Sequence, residues 1–559
     1  MEAEIGKRLS DLTKTSSFLL ATDEAAHELL LVDPTSAKVI QQLKVNQYPV
    51  NVVATADGRH AYVASLWSRR LTFVELPEDA DGKARVVGEL DMPFAPRVQL
   101  LVKDDSRLVV ADSYRGRLAV IDCETKELLH VREFPGHNIR GLGVSKDERM
   151  LLVSHQMLNE LAHTVRNDVH WGLLMSNDLR WLNLQSVVDG AQDLYKGAHM
   201  HPIGEAGRGG GDPGGLSVAP DGMVVVTIAG TGEVSFGKEN DFSLFRLGLD
   251  SYKPAKRVGR ESGSEAAPDD PAEKKKGDDE DDDVNDYGLV RRAGMHRRPT
   301  AVTTSSDSRY AFVANTFHDS ISIIDFRQHE VGGEISLGPV PELTMVDRGE
   351  MLFFDSRLSH DGWMSCNSCH TDGHTNTLLN DNFSDKSFGA PKRVLSLLDR
   401  AGTTPFAWRA TSNSFEEQIR ISITKTMQGD QPPTDRQVAA MAAFLEALPP
   451  PPPIDLARGH RDNEAVQRGR AVFKSQDCIE CHAPPKYTTP DIYDVGLKDS
   501  QGNDKFNPPA LIGVGQRGPY FHDGRADSLE DVFRQFGHKV SKDLSNQQLH
   551  DLVAFLRSL

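Results

Sequence analysis

Four of the five cysteines stand in two Cys-X-X-Cys-His pentapeptides, Cys366-Asn367-Ser368-Cys369-His370 and Cys478-Ile479-Glu480-Cys481-His482. This spacing predicts covalent attachment of haem c: each pair of thiols adds across the two vinyl groups of one porphyrin, and the histidine that follows is held beneath the iron. Cys366, Cys369, Cys478 and Cys481 are thus predicted to bind two haems, with His370 and His482 as iron ligands. Two other chemistries use paired cysteines. Zinc ribbons bring two such pairs about 15–20 residues apart, but here the second pair starts 112 residues after the first (478 − 366). Redox-active dithiols need no histidine after the second cysteine. Two haems predict a redox function.

The segment that carries the motifs reads as helical and repeats itself. AFLEAL at residues 443–448 returns as AFLRSL at 554–559, and FEEQI at 415–419 as LEDVF at 529–533. These offsets of 111 and 114 lie close to the motif offset of 112. Two tandem, mainly α cytochrome c domains are predicted, at 342–448 and 454–559, each closing on an amphipathic helix. Five prolines at 449–453 separate them, a stiff polyproline II spacer of about 15 Å or simply a helix terminator.

Upstream, residues 1–341 read as an all-β propeller, because an apolar strand, an Asp or Gly turn and a second strand rich in Val, Tyr and Ala recur. Clear copies begin at Pro49, Ala95, Asn138, Gly214 and Pro299. A sixth, at the start of the chain, lacks its first strand, which residues after Gly338 are expected to supply. A degenerate copy near 177–194 would make seven blades. The repeats resemble the YVTN-type propeller family. Two insertions interrupt them. Residues 253–285 are charged and poor in aromatics, and are expected to form a disordered surface loop. Residues 155–212 hold His155, His163, His170, His199 and His201, either a metal or substrate site at one propeller mouth or ordinary loop histidines.

The net charge of −18 includes eleven acids against three lysines between residues 265 and 286. No basic stripe stands out, which argues against nucleic acid as a partner; the acidity suits a basic redox partner. No apolar run approaches the roughly 20 residues of a membrane helix, and no signal peptide is visible. Because bacterial haem c is attached outside the cytoplasmic membrane, a periplasmic location is expected, with the leader absent from this chain. Cys123, in an apolar stretch, reads as a buried structural thiol.

The last 215 or so residues resemble the bacterial dihaem cytochrome c peroxidase/MauG superfamily. The likeness is carried by RGEMLFFDSRLSHDGWMSCNSCH (348–370), GAPKRVLSLL (389–398), FNPPALIGVGQRGPYFHDGRADSLEDVF (506–533) and the closing LVAFLRSL. It implies that the second haem takes electrons from a small redox protein, a cytochrome c or cupredoxin, and relays them to the first. There hydrogen peroxide, or a protein or small-molecule substrate in MauG-like members, is handled. It implies that Trp408 lies between the haems and that Gln418 matches a glutamine of the peroxidase pattern. At the position of the family's distal glutamate stands Gln428, and an amide cannot shuttle a peroxide proton; classical peroxidase turnover is therefore expected to be weak.

The family's distal histidine has no counterpart at 380–388, which leaves His374 as the local alternative, either an iron ligand or a pocket donor. No methionine follows Met441, so the second haem cannot take the family's methionine from its own domain. The alignment puts that ligand near Phe536, and His538 two residues on is the expected substitute, with Tyr520 and His522 behind it. A bis-His or His/Tyr haem of lowered potential follows. Calcium is implied at the interdomain seam, where the family's asparagine falls at Gly389. The reading from a different class is a non-catalytic electron-transfer or partner-docking cytochrome with both irons six-coordinate.

Overall fold

The computed structural model describes residues 8–79, 82–190, 193–239, 244–251, 297–338, 342–383, 386–540 and 544–559. The insertion expected at 253–285 lies outside them.

Six four-stranded antiparallel sheets form the N-terminal half, each in simple meander order. Their first strands are Leu9–Lys14, Pro49–Ala54, Pro96–Val102, His137–Val144, Pro213–Val218 and Pro299–Thr304. From the first sheet to the sixth, each of these touches the first strand of the sheet that follows, so the first strands line the centre of a propeller. The middle strands are the apolar ones, because both their faces are covered by neighbouring blades. Arg107–Asp112 and Arg117–Asp122, for example, are buried along almost their whole length. Outermost strands such as Lys38–Lys44 alternate between half-buried and exposed residues. Leucine, valine and phenylalanine interleave between successive blades, as Phe18, Leu29 and Val63 do between the first and second.

The described residues give six blades, not seven. The segment expected to be a degenerate copy is the third strand of the fourth blade, Met175–Asn183, followed by the short helix Leu184–Asp189. That strand pairs along nine residues with Met150–Leu158, from Met150↔Asn183 to Leu158↔Met175. A pair this long, interrupted by an insertion, reads along the sequence as an extra repeat. The first blade is also complete at its own start. Leu9–Lys14 pairs with Leu19–Asp23, and Leu12 is 58% exposed, so the strand lacks the apolar signature of the others. Among the described residues after Gly338 no strand closes the ring: Met345–Phe353 is a helix, started by a capping box between Thr344 and Asp347.

Two helical units follow, built alike. In the first, Met345–Phe353 crosses Asp435–Ala447; in the second, Asn463–Ser475 crosses Asn546–Arg557. Each crossing turns on one glycine. A Cβ on Gly349 would strike the carbonyl of Ala440, and one on Gly469 the carbonyl of Asp551. Only glycine lets the backbones come this close. Phe444 and Phe555, four residues beyond those carbonyls, pack over the glycines. The prolines between the units lie against the second one, where Gln516 Nε2 donates to Pro452 O at 3.3 Å.

Both units sit on one face of the propeller, the face formed by the loops between second and third strands and by the starts of the first strands. Gly230 O accepts from the amide of Ser356 (2.8 Å) and Gly362 O accepts from that of Gly211 (3.0 Å). Farther round, Arg458 Nε donates to Ser68 O at 2.8 Å and Gln516 Nε2 to Trp67 O at 2.7 Å. One mouth of the propeller is thus covered by the chain's own helical units.

Candidate functional site

The first Cys-X-X-Cys-His turn is a single helical turn, Cys366–Cys369, capped by Ser365. The propeller holds it from below. Asp212, at the mouth, accepts hydrogen bonds from the hydroxyls of Ser365 and of Ser368 (2.8 Å for the latter). His137 donates from Nε2 to Ser368 O at 2.9 Å, and Gln156 from Nε2 to Ser368 Oγ at 3.2 Å. Asp372 then dips between Arg140 (2.9 Å) and Arg97 (3.5 Å), which stand on two adjacent first strands. Burial alone would raise the pKa of Asp372, but Arg140 and Arg97, with Arg298 behind them, hold the carboxyl well below the usual carboxylate range.

Above this turn lies a cavity lined by Cys366, Cys369 and His370 on one side and by Gln418, Ser422, Thr426 and Met427 on another. His370 donates from Nδ1 to Leu395 O at 2.8 Å, which orients the ring and leaves Nε2 for iron. The facing wall is the helix Phe415–Ile421, which widens into a π-helical turn at Ser422–Thr426. Such turns redirect side chains and recur at functional sites. Gln418 Nε2 donates to Ser422 Oγ at 3.3 Å, and Gln418 Oε1 is buried with no partner. A second cavity opens beside Cys478, Cys481 and His482. His482 donates from Nδ1 to Tyr487 O at 3.0 Å, repeating the arrangement of His370. His538 lines this cavity too. Burial lowers its pKa to about 4, and His482 adds to the depression. Its Nδ1 is buried without a partner.

The two cavities share a wall that includes Trp408, Arg393, Arg400 and Pro508. Trp408 is 8% exposed and donates from Nε1 to Arg393 O at 2.8 Å. Arg393 Nη1 in turn donates to Arg517 O at 3.2 Å, across the two helical units. Arg393, Arg400 and Arg517 are all buried, and among the described residues no carboxylate pairs with any of them. Asp399 lies near enough to favour the charges of Arg400 and Arg517, but it is paired with Lys486, and buried guanidiniums without an ion pair of their own are costly. Each haem carries two propionates, and a haem in either cavity would bring the missing charge. This donor set, with two paired-cysteine turns and two oriented histidines, fits haem c at both sites.

Not every expected site residue lines a cavity. His374 is fully buried outside the first cavity. Its Nδ1 meets Ser396 Oγ at 2.8 Å and its Nε2 meets Gln516 O at 3.1 Å. Trp67 and Tyr114 of the propeller pack edge-on against the ring. With both nitrogens engaged it is a strut between three parts of the chain, not an iron ligand. Gln428 also turns away. Its backbone is left-handed (φ 54°) and its amide donates to Thr164 O and Lys425 O, both at 2.6 Å. The wall position falls to Met427. Tyr520 and His522 line the second cavity beside His538: Tyr520 donates to Val514 O at 3.1 Å and His522 lies flat on Phe506, whereas the Nδ1 of His538 is buried without a partner. Gly389 has no side chain to offer calcium, and nearby Asp499 binds Lys392 (3.1 Å) and Asn503 (2.9 Å). The five propeller histidines do not converge on one point: His155 is buried beside Arg180, His199 and His201 pack together on Trp181 with ring centroids 5.3 Å apart, and His163 and His170 reach Asp381 and Asp361 of the first helical unit.

Motif reading missed the propeller clamp of Asp212, His137 and Arg140, the wall residues Ser422 and Met427, and the shared arginines. Only the arginines left a trace, as basic residues inside otherwise apolar or small-residue stretches.

Comparisons with known proteins agree with this geometry. A family model described as di-haem cytochrome c peroxidase matches residues 344–448. Methylamine utilization protein MauG of Methylorubrum extorquens is 30% identical over 330 residues, 46% of this chain and 90% of that protein. The protein of the same name from Methylophilus methylotrophus is 27% identical over 275 residues, 38% of this chain and 81% of its own length. Cytochrome c551 peroxidase of Nitrosomonas europaea is 28% identical over 266 residues, 38% of this chain and 79% of that protein. The shares of this chain leave room for the propeller, and paired haem turns with a common tryptophan wall account for the rest: the chain belongs to the di-haem cytochrome c peroxidase/MauG family, a peroxidase-like haem oxidoreductase joined to a six-bladed β-propeller.

Proposed function

We propose that the first cavity handles peroxide or an oxidisable substrate and that the second receives electrons from a small redox protein. The observation that carries this reading is the shared wall: Trp408 lines both cavities, and an indole is the side chain suited to pass an electron between them.

Haem c, once attached, supplies a redox-active iron in each cavity. The chain's own residues account for the division of labour. The first haem turn is sealed against the propeller, with Ser368 fully buried, whereas Ile479 in the second turn is 40% exposed. Asp477 and Glu480 beside it are exposed as well. An apolar point with an acidic rim suits a basic cytochrome c or cupredoxin as donor. In the first cavity, Gln418 and Ser422 line the space above the haem turn and would offer hydrogen bonds to peroxide there. Neither transfers a proton readily at neutral pH, which favours oxidation of a substrate over rapid peroxide turnover. Haem c is attached outside the cytoplasmic membrane in bacteria, which supports a periplasmic location. Among the described residues no helix is long and apolar enough to cross a membrane.

Hydrogen peroxide added to the oxidised protein should change a high-spin paramagnetic resonance signal and leave a low-spin one in place. Two low-spin signals, both indifferent to peroxide, would identify a pure electron carrier instead. Three substitutions refine the reading. Gln418→Leu should slow the peroxide response by about tenfold, the loss of one oriented hydrogen bond of roughly 1.4 kcal/mol. Gln428→Glu should leave it unchanged, because that side chain faces the propeller; a large gain would show that the residue reaches the cavity after all. His538→Ala should convert the second haem from low to high spin, and an unaltered spectrum would rule His538 out as its ligand.

A further inference from the structure

Away from both cavities, a third cluster of ligating groups joins the propeller to the first haem unit. His170 ends the helix Arg166–His170 in the insertion of the fourth blade. His360 and Asp361 lie in the loop just before the first haem turn. One donor atom from each of the three lies within 4.8 Å of the others. His170 Nδ1 is 2.6 Å and His360 Nε2 is 3.3 Å from Asp361 Oδ2. We propose that His170, His360 and Asp361 bind a divalent transition-metal ion of the zinc class, which pins the propeller insertion to the first haem unit.

Three observations support this. Two imidazoles and one carboxylate are a donor set that zinc takes, with a fourth position left for water. Ligands at about 2.0–2.1 Å in tetrahedral array stand roughly 3.3 Å apart. The His360–Asp361 separation already has this value, and the His170 ring, 35% exposed, is the arm free to swing outward. The second observation is the support behind His360. Its other nitrogen, Nδ1, lies 3.0 Å from Asp430 Oδ1, and Arg166 Nη2 holds the same oxygen at 2.6 Å. A metal-bound histidine characteristically donates its second N–H to a carboxylate in this way. The third is placement. The peptide N–H of Gly209 donates to Asp361 O at 2.6 Å, and Trp363 Nε1 donates to His170 O at 3.1 Å. Ligands from two parts of the chain are thus held in register before any ion arrives.

The test is equilibrium dialysis of the full-length dihaem protein, stripped with chelator, against zinc chloride, followed by zinc K-edge absorption. One tight equivalent is expected, with nitrogen and oxygen scatterers at about 2.0–2.1 Å and the outer-shell pattern of two imidazoles. His170→Ala and Asp361→Asn should each abolish it, and Asp430→Asn should weaken it about 10–100-fold. Haem absorption spectra, unaltered by these changes, report that the variants fold. His170 is the exposed member, so its loss leaves the buried contacts in place. No tight equivalent in the native protein, or one that survives both ligand substitutions, overturns the proposal. The second result would place the zinc on other histidines, such as His199 and His201.

Discussion

Replacement of Asp372 by Ala is expected to destabilise the protein by about 2–3 kcal/mol and to loosen the first haem unit from the propeller. The carboxylate lies two residues beyond His370 and is the anion that Arg140 and Arg97 approach at 2.9 and 3.5 Å. Arg298 is nearby too, its guanidinium stacked 3.4 Å from the centre of the Phe354 ring. Without Asp372, three half-buried cations would face one another. Breaking a buried pair by removing one partner costs about 3–5 kcal/mol. The Asp372 side chain is 21% exposed, so water recovers part of that and the lower figure applies. Asp372→Asn keeps the shape and loses the charge, and should give most of the same loss. The measurement is thermal unfolding together with amide exchange across residues 366–374. Unchanged exchange and an unchanged midpoint in both variants would show that the arginine cluster does not anchor the haem turn.

Trp408→Phe should slow electron transfer between the two haem sites by at least about tenfold, or roughly 1.4 kcal/mol in barrier. The phenyl ring fills most of the same space, but phenylalanine is far harder to oxidise than an indole. It also drops the hydrogen bond to Arg393 O, which costs about 1 kcal/mol of stability. Trp408→Ala would confound the result, because emptying a buried aromatic site costs about 3–5 kcal/mol in its own right. The experiment reduces the second haem rapidly and follows the first by stopped-flow absorption. Equal rates in the native protein and the phenylalanine variant would mean that electrons pass by another route and that Trp408 is a packing residue.

The propeller emerges from these contacts as a scaffold for the first haem. Its face meets Ser365, Ser368 and Asp372 through Arg97 of the third blade, His137, Arg140 and Gln156 of the fourth, and Asp212 at the entry to the fifth. This gives the fused architecture a physical reason. A helical turn of four residues has too few hydrogen bonds of its own to hold a fixed position, and the propeller supplies the missing ones from a rigid ring.

Covalent chemistry and short-range periodicity were legible in the amino-acid order itself. Cys366, Cys369 and His370 announce haem attachment because the reaction needs only their spacing. The blades announce themselves through strand-and-turn patterns a few tens of residues long, and the two helical units through their near-equal offsets. Tertiary structure decided the number of blades, because Met175–Asn183 has the composition of a new repeat and only its pairing with Met150–Leu158 makes it part of an old one. It also decided which way single side chains point. His374 and Gln428 stand at positions where a motif would put a ligand and an acid, yet each hydrogen-bonds a partner in another part of the fold. His170, His360 and Asp361 come together across about 190 residues of chain. Attachment and periodicity are local properties, encoded within a few neighbouring residues, whereas the direction of a side chain and the meeting of distant groups depend on how whole blades and helices pack.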